Sequence, residues 1–257
     1  MSTWNLAEAT YPDIQDGSFE VAVLPFGATE PHNRHLPYGT DMFEGNVLGS
    51  AICERAHADG AKVLLLPTLP FGTQTNMRDL PFAMNLYPST LTLIVSDLLE
   101  TLVRSGICKV LLLNMHGGNE MKSVVRELSP RTDASLFICN WWEVLGEEYH
   151  QIFDEPEDHA GEFETSIALA RFPELVRDGA DDGETRPFRF EAMNRDWVKT
   201  SRPWHLLTTN TGSGNPHAAS AAKGEEAILL IVNRISTFLV QLSEATLDHS
   251  FPFEASS

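Results

Sequence analysis

The sequence predicts an α/β fold: a mostly parallel sheet covered on both faces by helices. Three observations predict it. Short apolar runs recur along the chain without polar alternation, the pattern of strands buried on both faces. Segments of helical periodicity separate them, and strand–helix alternation favours a parallel sheet. Gly and Pro punctuate the boundaries between the two.

Taken in order, the first strand is expected at Phe19–Leu24, around E-V-A-V-L. Thr40 or Asp41 then caps a helix that runs to His57 and is ended by Gly60. Lys62–Leu66 is a second buried strand, stopped by Pro67. Thr68–Pro88 is long, irregular and polar, and loops of that length in compact domains are often functional. Ser89 caps an amphipathic helix carrying Leu91, Ile94, Val95, Leu98, Leu99 and Leu102, which Gly106 ends. Cys108–Leu113 is a third strand, followed by a helix over Asn119–Leu128 and a strand at Ser135–Cys139. Glu164–Phe172 reads as helical, Phe188–Phe190 as a short strand, and Ala218–Leu242 as a final helix patterned at Ile228, Ile231, Val232, Ile235 and Leu239. The tail from His249 is expected to be loosely held, and residues 1–257 are expected to form a single domain.

At 257 residues the chain can bury a sizeable core, and its 42% hydrophobic content is ordinary for a globular protein. No apolar run approaches the ~18 residues of a membrane span. The first ten residues lack a basic stretch leading into an apolar one, so no secretory signal is expected. A formal net charge of −18 argues against nucleic acid and anionic membranes as partners. Cys53, Cys108 and Cys139 have no metal-type spacing; Cys108 and Cys139 read as small core residues, and a reduced cytoplasmic compartment is expected.

The chemistry concentrates in Val21–Glu44, V-A-V-L-P-F-G-A-T-E-P-H-N-R-H-L-P-Y-G-T-D-M-F-E. A strand runs into a loop that carries Glu30, His32, His35 and Asp41 within 12 residues. A single loop His is usually just solvated. Two carboxylates and two imidazoles directly after a strand point instead to a metal site of the Zn, Mn or Fe type. In extended chain Glu30 and His32 point the same way, and the loop can fold Asp41 back to join them. The third strand ends in N-M-H-G-G-N, which brings His116 to the same carboxyl edge of the sheet, where ligands bind in such folds.

These residues resemble the creatininase (creatinine amidohydrolase) family. P-F-G-A-T-E-P-H-N-R-H-L-P-Y-G-T-D is similar to its N-terminal signature P-x-G-S-x-E-Q-H-G-x-H-L-P-x-x-T-D. N-M-H-G-G-N resembles its N-x-H-G-G-N, and H-A-G-E-F-E-T-S its H-A-G-x-x-E-T-S. G-N-P-H-A-A-S-A-A-K-G resembles its late G-x-P-x-x-A-x-x-x-K-G, so four motifs fall in order over most of the chain. The resemblance implies a three-layer α/β/α fold, a homo-oligomer (often a hexamer), and hydrolysis of a C–N bond in a small cyclic or linear amide by a hydroxide shared between two divalent ions.

By position, Glu30, His32, Asp41 and His116 match the metal ligands, Asp41 being the bridging carboxylate, and Glu164 is a candidate to complete the second site. A carboxylate can bridge two ions, whereas a neutral imidazole offers one lone pair. Zn, Mn and Fe all suit the donor set. His159 matches the catalytic His of H-A-G, and Asp158 or Glu162 is the candidate general base, although Asp158 belongs to an acidic run that would ordinarily be a solvated loop. His35 is expected to orient a ligand.

One departure bears on substrate. Where creatininase itself has an aromatic residue and a metal-ligating Glu after the central His, this chain has Gly117 and Gly118. It is closer to the broader branch of the family, which includes a formamide hydrolase of flavin and deazaflavin biosynthesis. Two other readings stand beside the amidohydrolase. One is a metal-holding binding or regulatory protein without turnover. The other is phosphoester hydrolysis on the same ions, for which only Arg34 and Arg78 stand near the motifs.

Overall fold

The computed structural model describes residues 3–254. Four strands, β1 (Val21–Phe26), β2 (Val63–Leu65), β3 (Lys109–Asn114) and β4 (Ser135–Asn140), form one sheet in the order β2-β1-β3-β4. Every pairing is parallel; Val21 lies opposite Val63 on one side and Lys109 on the other. The helices among the described residues are α1 (Tyr11–Asp16), α2 (Thr40–Ala58), α3 (Pro88–Arg104), α4 (Met121–Leu128), α5 (Tyr149–Ile152), α6 (Glu162–Arg171), α7 (Glu191–Asn194), α8 (Trp204–Leu207) and α9 (Ala221–Glu244).

Alternation along the strands explains the three layers. Val21, Val23, Val63, Leu65, Leu111 and Leu113 join a core with Leu48 and Ile52 of α2, Phe163 and Ile167 of α6, and Ile228, Ile231 and Leu239 of α9. Ala22, Leu24, Phe26, Leu64, Val110 and Leu112 face the other way, onto Leu91, Val95 and Leu99 of α3 and Val124 of α4. Both faces are apolar, so the strands read as unbroken hydrophobic runs. Each fully buried Val, Leu or Ile contributes about 1.5–3 kcal/mol.

α9 is long and apolar enough to cross a membrane by length and composition. Its apolar stripe is instead spent on the core, against α2 and α6. The approach to α6 is close: a Cβ on Gly224 would overlap the Ser166 carbonyl, so only glycine fits there. At its far end the buried Lys109 ammonium donates to the Ser243 and Ala245 carbonyls (3.0 and 2.9 Å), a cation at a helix C-terminus.

Several expectations change in detail. α3 starts at Pro88 with Tyr87 as its N-cap, because Pro suits the first helical position, where its missing N–H costs nothing. Phe188–Phe190 is not a strand; Phe188 N–H donates to Asn194 Oδ1, which holds the segment against α7. Cys53 is the buried cysteine, while Cys108 and Cys139 are half-buried. Phe251, in the tail expected to be loose, packs edge-on against Phe137 at 6.0 Å. Met1, Ser2 and residues 255–257, part of the terminal readings, lie outside the described residues.

Candidate metal centre

The sheet delivers its polar cargo at the carboxyl ends of its two central strands. Beyond β1, Glu30 and His32 sit in a loop held by Glu30 N–H to Tyr38 O (3.0 Å) and Gly27 N–H to Leu69 O (2.9 Å). Asp41 lies in the first turn of α2, and His116 follows β3 by two residues. Glu30, His32 and Asp41 are 1% exposed or less, and His116 is 6% exposed.

The ring nitrogens are arranged in a consistent way. His32 Nε2 is 2.9 Å from Asp41 Oδ1, and its Nδ1 is 3.0 Å from the Glu30 carbonyl. His116 Nδ1 is 3.0 Å from Glu30 Oε1 and 3.2 Å from Asp41 Oδ2, and its Nε2 is 3.0 Å from the Thr73 carbonyl. Each imidazole therefore has a backbone carbonyl on one nitrogen and carboxylates on the other. A carbonyl partner keeps an N–H on that side, so the nitrogen facing the carboxylates is the one that would bind an ion, the usual setting of a ligating histidine.

Three sets of donor atoms converge within 4.8 Å: Glu30, Asp41 and His116; His32, Asp41 and Glu164; and Glu30, His32 and His159. Glu30, His32 and Asp41 each belong to two of them, and Asp41 is the one shared by the first two sets. Glu30 Oε2 is buried without a partner, and Glu30 Oε1 and Asp41 Oδ2 are buried with only imidazole nitrogens beside them. Buried carboxylate oxygens left so are costly unless a cation serves them. Oxygen and imidazole donors together fit divalent ions of the Zn or Mn type better than an oxygen-only ion such as Ca.

The charges agree. Burial would push Asp41 up and His32 down, yet the pair reverses both: Asp41 falls well below the usual carboxylate range and His32 rises to about 10. Burial is likewise overcome at Glu30, which is lowered by His116, and at His116, which is raised well above its ordinary value by Glu30. Without cations the cluster is thus held together by imidazolium–carboxylate pairs. Glu44, one turn along α2 from Asp41, is fully buried with neither oxygen partnered, and burial followed by the Glu164 and Asp41 charges pushes its carboxyl up.

Glu164 Oε2 also accepts from Ala160 N–H. His159 Nε2 donates to the Pro31 carbonyl (2.9 Å), which leaves Nδ1 on the cluster side, 3.7 Å from Glu30 Oε1. His35 lies behind this layer, its Nε2 2.8 Å from Thr165 Oγ1, and burial lowers it to about 4.

The two candidate bases are placed differently. Glu162 points away from the cluster: Lys223 pairs with one oxygen, and the Asp154 and Glu155 amides donate to the other at 2.8 and 3.0 Å. Neither oxygen is left for proton transfer at the cluster. Asp158 is exposed at the rim, paired with Arg202 at 2.6 Å. A carboxylate that sequence reasoning missed, Glu157, caps α6 by accepting from the Phe163 and Glu164 amides, and burial pushes it up. Its only sequence signal was the acidic run around it.

Gly118 has a clear reason. A Cβ there would overlap the Thr73 carbonyl and His116 Nε2, at the hydrogen bond that orients the His116 ring. Asn119 Oδ1 accepts from Thr73 N–H (2.9 Å) and Asn119 Nδ2 donates to Asn114 Oδ1 (3.2 Å), bracing the same loop.

Two cavities meet at His116, Gly117, Asp158 and His159. One, of about 380 Å³, is walled by Trp141, Trp142, Tyr149 and Phe163. Trp141 is also core, stacked on Phe163 at 4.5 Å, whereas Phe153 is wholly core. The other, of about 630 Å³, opens on the far side of His159 and includes Thr73, Lys199, Arg202 and Trp204.

A family profile described as "Creatininase: Creatinine amidohydrolase" matches residues 7–239. A creatinine amidohydrolase of Pseudomonas putida is 28% identical over 238 residues, 84% of this chain and 87% of that protein. A mycofactocin precursor peptide peptidase of Mycobacterium ulcerans is 26% identical over 245 residues, 90% of this chain and 86% of that one. A solved structure from Bacteroides fragilis, named for creatinine amidohydrolase, superposes with a TM-score of 0.89 at 32% identity, covering 97% of this chain and 100% of its own.

Proposed function

The chain belongs to the creatininase family, and from that premise we propose that it is a dinuclear metal-dependent amidohydrolase acting on a C–N bond of a small amide. The observation that carries this reading is the sharing of Asp41 between two sets of donor atoms, with Glu30 Oε2 buried and unpartnered and Glu30 Oε1 and Asp41 Oδ2 facing only imidazole nitrogens. Glu30, Asp41 and His116 would hold one ion, and His32, Asp41 and Glu164 the other. When bound, such a pair of ions polarises an amide carbonyl and lowers the pKa of water.

The remaining work falls to the chain itself. The Glu30 and Thr73 carbonyls fix the tautomers of His32 and His116. His159, oriented by Pro31 O, presents an unprotonated Nδ1 that would take the proton released by the attacking water and pass it to the leaving nitrogen. Of the three catalytic candidates, His159 alone has a donor atom among the converging sets, so it takes the proton-transfer role. Asp158, tied to Arg202, is a rim residue in this scheme. Trp141 and Trp142 exclude water from one side of the reacting amide.

The family's homo-oligomeric habit is proposed for this chain too; Phe71, Phe82, Met84 and Tyr87 of the irregular segment expose apolar surface that a second copy would cover. Cytoplasmic action is proposed with it.

The test is Asp41→Ala. Wild-type protein purified without chelator should carry close to two divalent ions per chain and hydrolyse members of a lactam and formamide panel. The variant should lose both ions and all turnover. Turnover that survives without Asp41 refutes the scheme. Two ions with no turnover on the panel would favour the metal-holding protein without catalysis.

A further inference from the structure

The larger cavity has a chemistry that the metal cluster does not explain. Two of its lining residues, Thr73 and Trp204, are buried, and each carries a polar atom without a partner: Thr73 Oγ1 and Trp204 Nε1. An indole N–H can only donate, and a hydroxyl donates readily. Buried donors without acceptors are rare in folded proteins and call for a ligand or water. Beside them stand Arg202 and Lys199, two of the 18 Lys and Arg residues in a chain of net charge −18.

Arg202 is held in place. Its guanidinium lies 5.7 Å from the centroid of the Trp204 ring and donates to Asp158 Oδ2 at 2.6 Å. Trp204 in turn packs edge-on against His159, with ring centroids 4.9 Å apart. A short chain of contacts therefore links Arg202 to the proton-transfer residue. Asp158 engages Arg202 from an exposed position, its side chain 45% accessible, so the pair is solvent-screened and exchangeable. The N-terminal ends of α3 and α4 reach the same wall through Pro88 and Ser123, which adds positive potential. The acidic groups facing it are Asp158, Glu120 and the metal-cluster Glu30.

We propose that this cavity binds an anionic group of the substrate, a carboxylate or a phosphate, with Arg202 exchanging Asp158 for the anion and Trp204 and Thr73 completing the donors. The inference rests on the hydrolase reading only for placing the scissile amide at His159. It deepens that reading: the substrate extends beyond a small neutral lactam and carries a negative charge on the side away from Trp141 and Trp142. Arg is suited to this, because its planar fork can take two oxygens of either anion. Arg202 acts here as a specificity residue and takes no part in bond cleavage.

The test measures binding by calorimetry, without turnover, on the metal-loaded protein. The probes are phenyl phosphate, benzoate and benzyl alcohol. Both anions should bind at least ~10-fold more tightly than the alcohol, since charge-assisted hydrogen bonds replace neutral ones. Arg202→Gln should abolish that preference and leave benzyl alcohol unchanged. Asp158→Asn, which removes the competing carboxylate, should strengthen anion binding; opposite signs from two neighbouring substitutions exclude general misfolding. The tighter of the two anions identifies the group the cavity prefers. The proposal is overturned if neither anion is preferred in the wild type. It is equally overturned if Arg202→Gln binds both as before, since the metal ions then hold the anion. Loss of amide turnover with the anion preference intact would sink the hydrolase reading alone.

Discussion

Loading Zn²⁺ or Mn²⁺ into the metal-free protein at pH 7 is expected to release close to two protons per chain. In the metal-free cluster His32 and His116 each face an acceptor on both ring nitrogens, the geometry of an imidazolium. His32 is raised to about 10 and His116 well above its ordinary value. A metal ion must displace the proton on the carboxylate side of each ring. For His32 that displacement, at three pH units below its pKa, costs about 4 kcal/mol of binding free energy, taking about 1.4 kcal/mol per unit.

Affinity for each ion should therefore tighten about tenfold per pH unit between pH 6 and 8. Calorimetric titration in PIPES and in Tris, whose ionisation enthalpies differ, gives the proton count from the difference in heats. Fewer than ~0.5 protons released per chain would refute the imidazolium–carboxylate account of the cluster. The same shift sets a stability window. A raised histidine stabilises the metal-free fold fully below its unfolded pKa of 6.5, and that contribution fades as pH climbs through about 10.

Two further outcomes follow from the packing. Gly118→Ala should disturb the Thr73–His116 hydrogen bond and weaken metal affinity by about 10–100-fold, as loss of an outer partner of a ligating histidine does. Gly117→Ala, whose Cβ meets nothing within 4 Å, should stay within about twofold; equal losses in both would refute the steric argument. Lys223→Met leaves the Glu162 carboxylate buried without its cation and should cost about 3 kcal/mol in denaturant melts, the low end of such losses because two backbone amides still donate to it. Metal content of the folded variant should not change; metal loss with unaltered stability would restore Glu162 to the cluster.

Much of this was legible from the chain because it depends on short spacings. β1 and β3 announce themselves as apolar runs, and Glu30, His32 and His116 follow those strands within a few residues. The choice between Glu162 and Glu164 was also within reach. Two residues apart on a helix, side chains diverge by about 200°, so once α6 is known to start at Glu162 only one of them can face the cluster. Arg202 and Trp204 were not legible. Arg202 lies in the irregular stretch between α7 and α8 and Trp204 opens the four-residue α8, with no periodicity to place them, and they meet Asp158 and His159 only through tertiary folding over more than 40 residues. Glu44 was hidden differently: in a helix a polar residue is assumed to face water, and nothing local indicates that α6 closes over it.

The separation between strand ends and irregular segment has a consequence for tolerance of change. The candidate ligands Glu30, Asp41 and His116 hang from the buried central strands and α2, where a change in volume is felt through the core. The wall carrying Lys199, Arg202 and Trp204 comes from a stretch with only four-residue helices, α7 and α8, to constrain it. Substitution in that wall is therefore expected to cost the fold less than substitution beneath the candidate ligands, so recognition can be altered with little loss of stability.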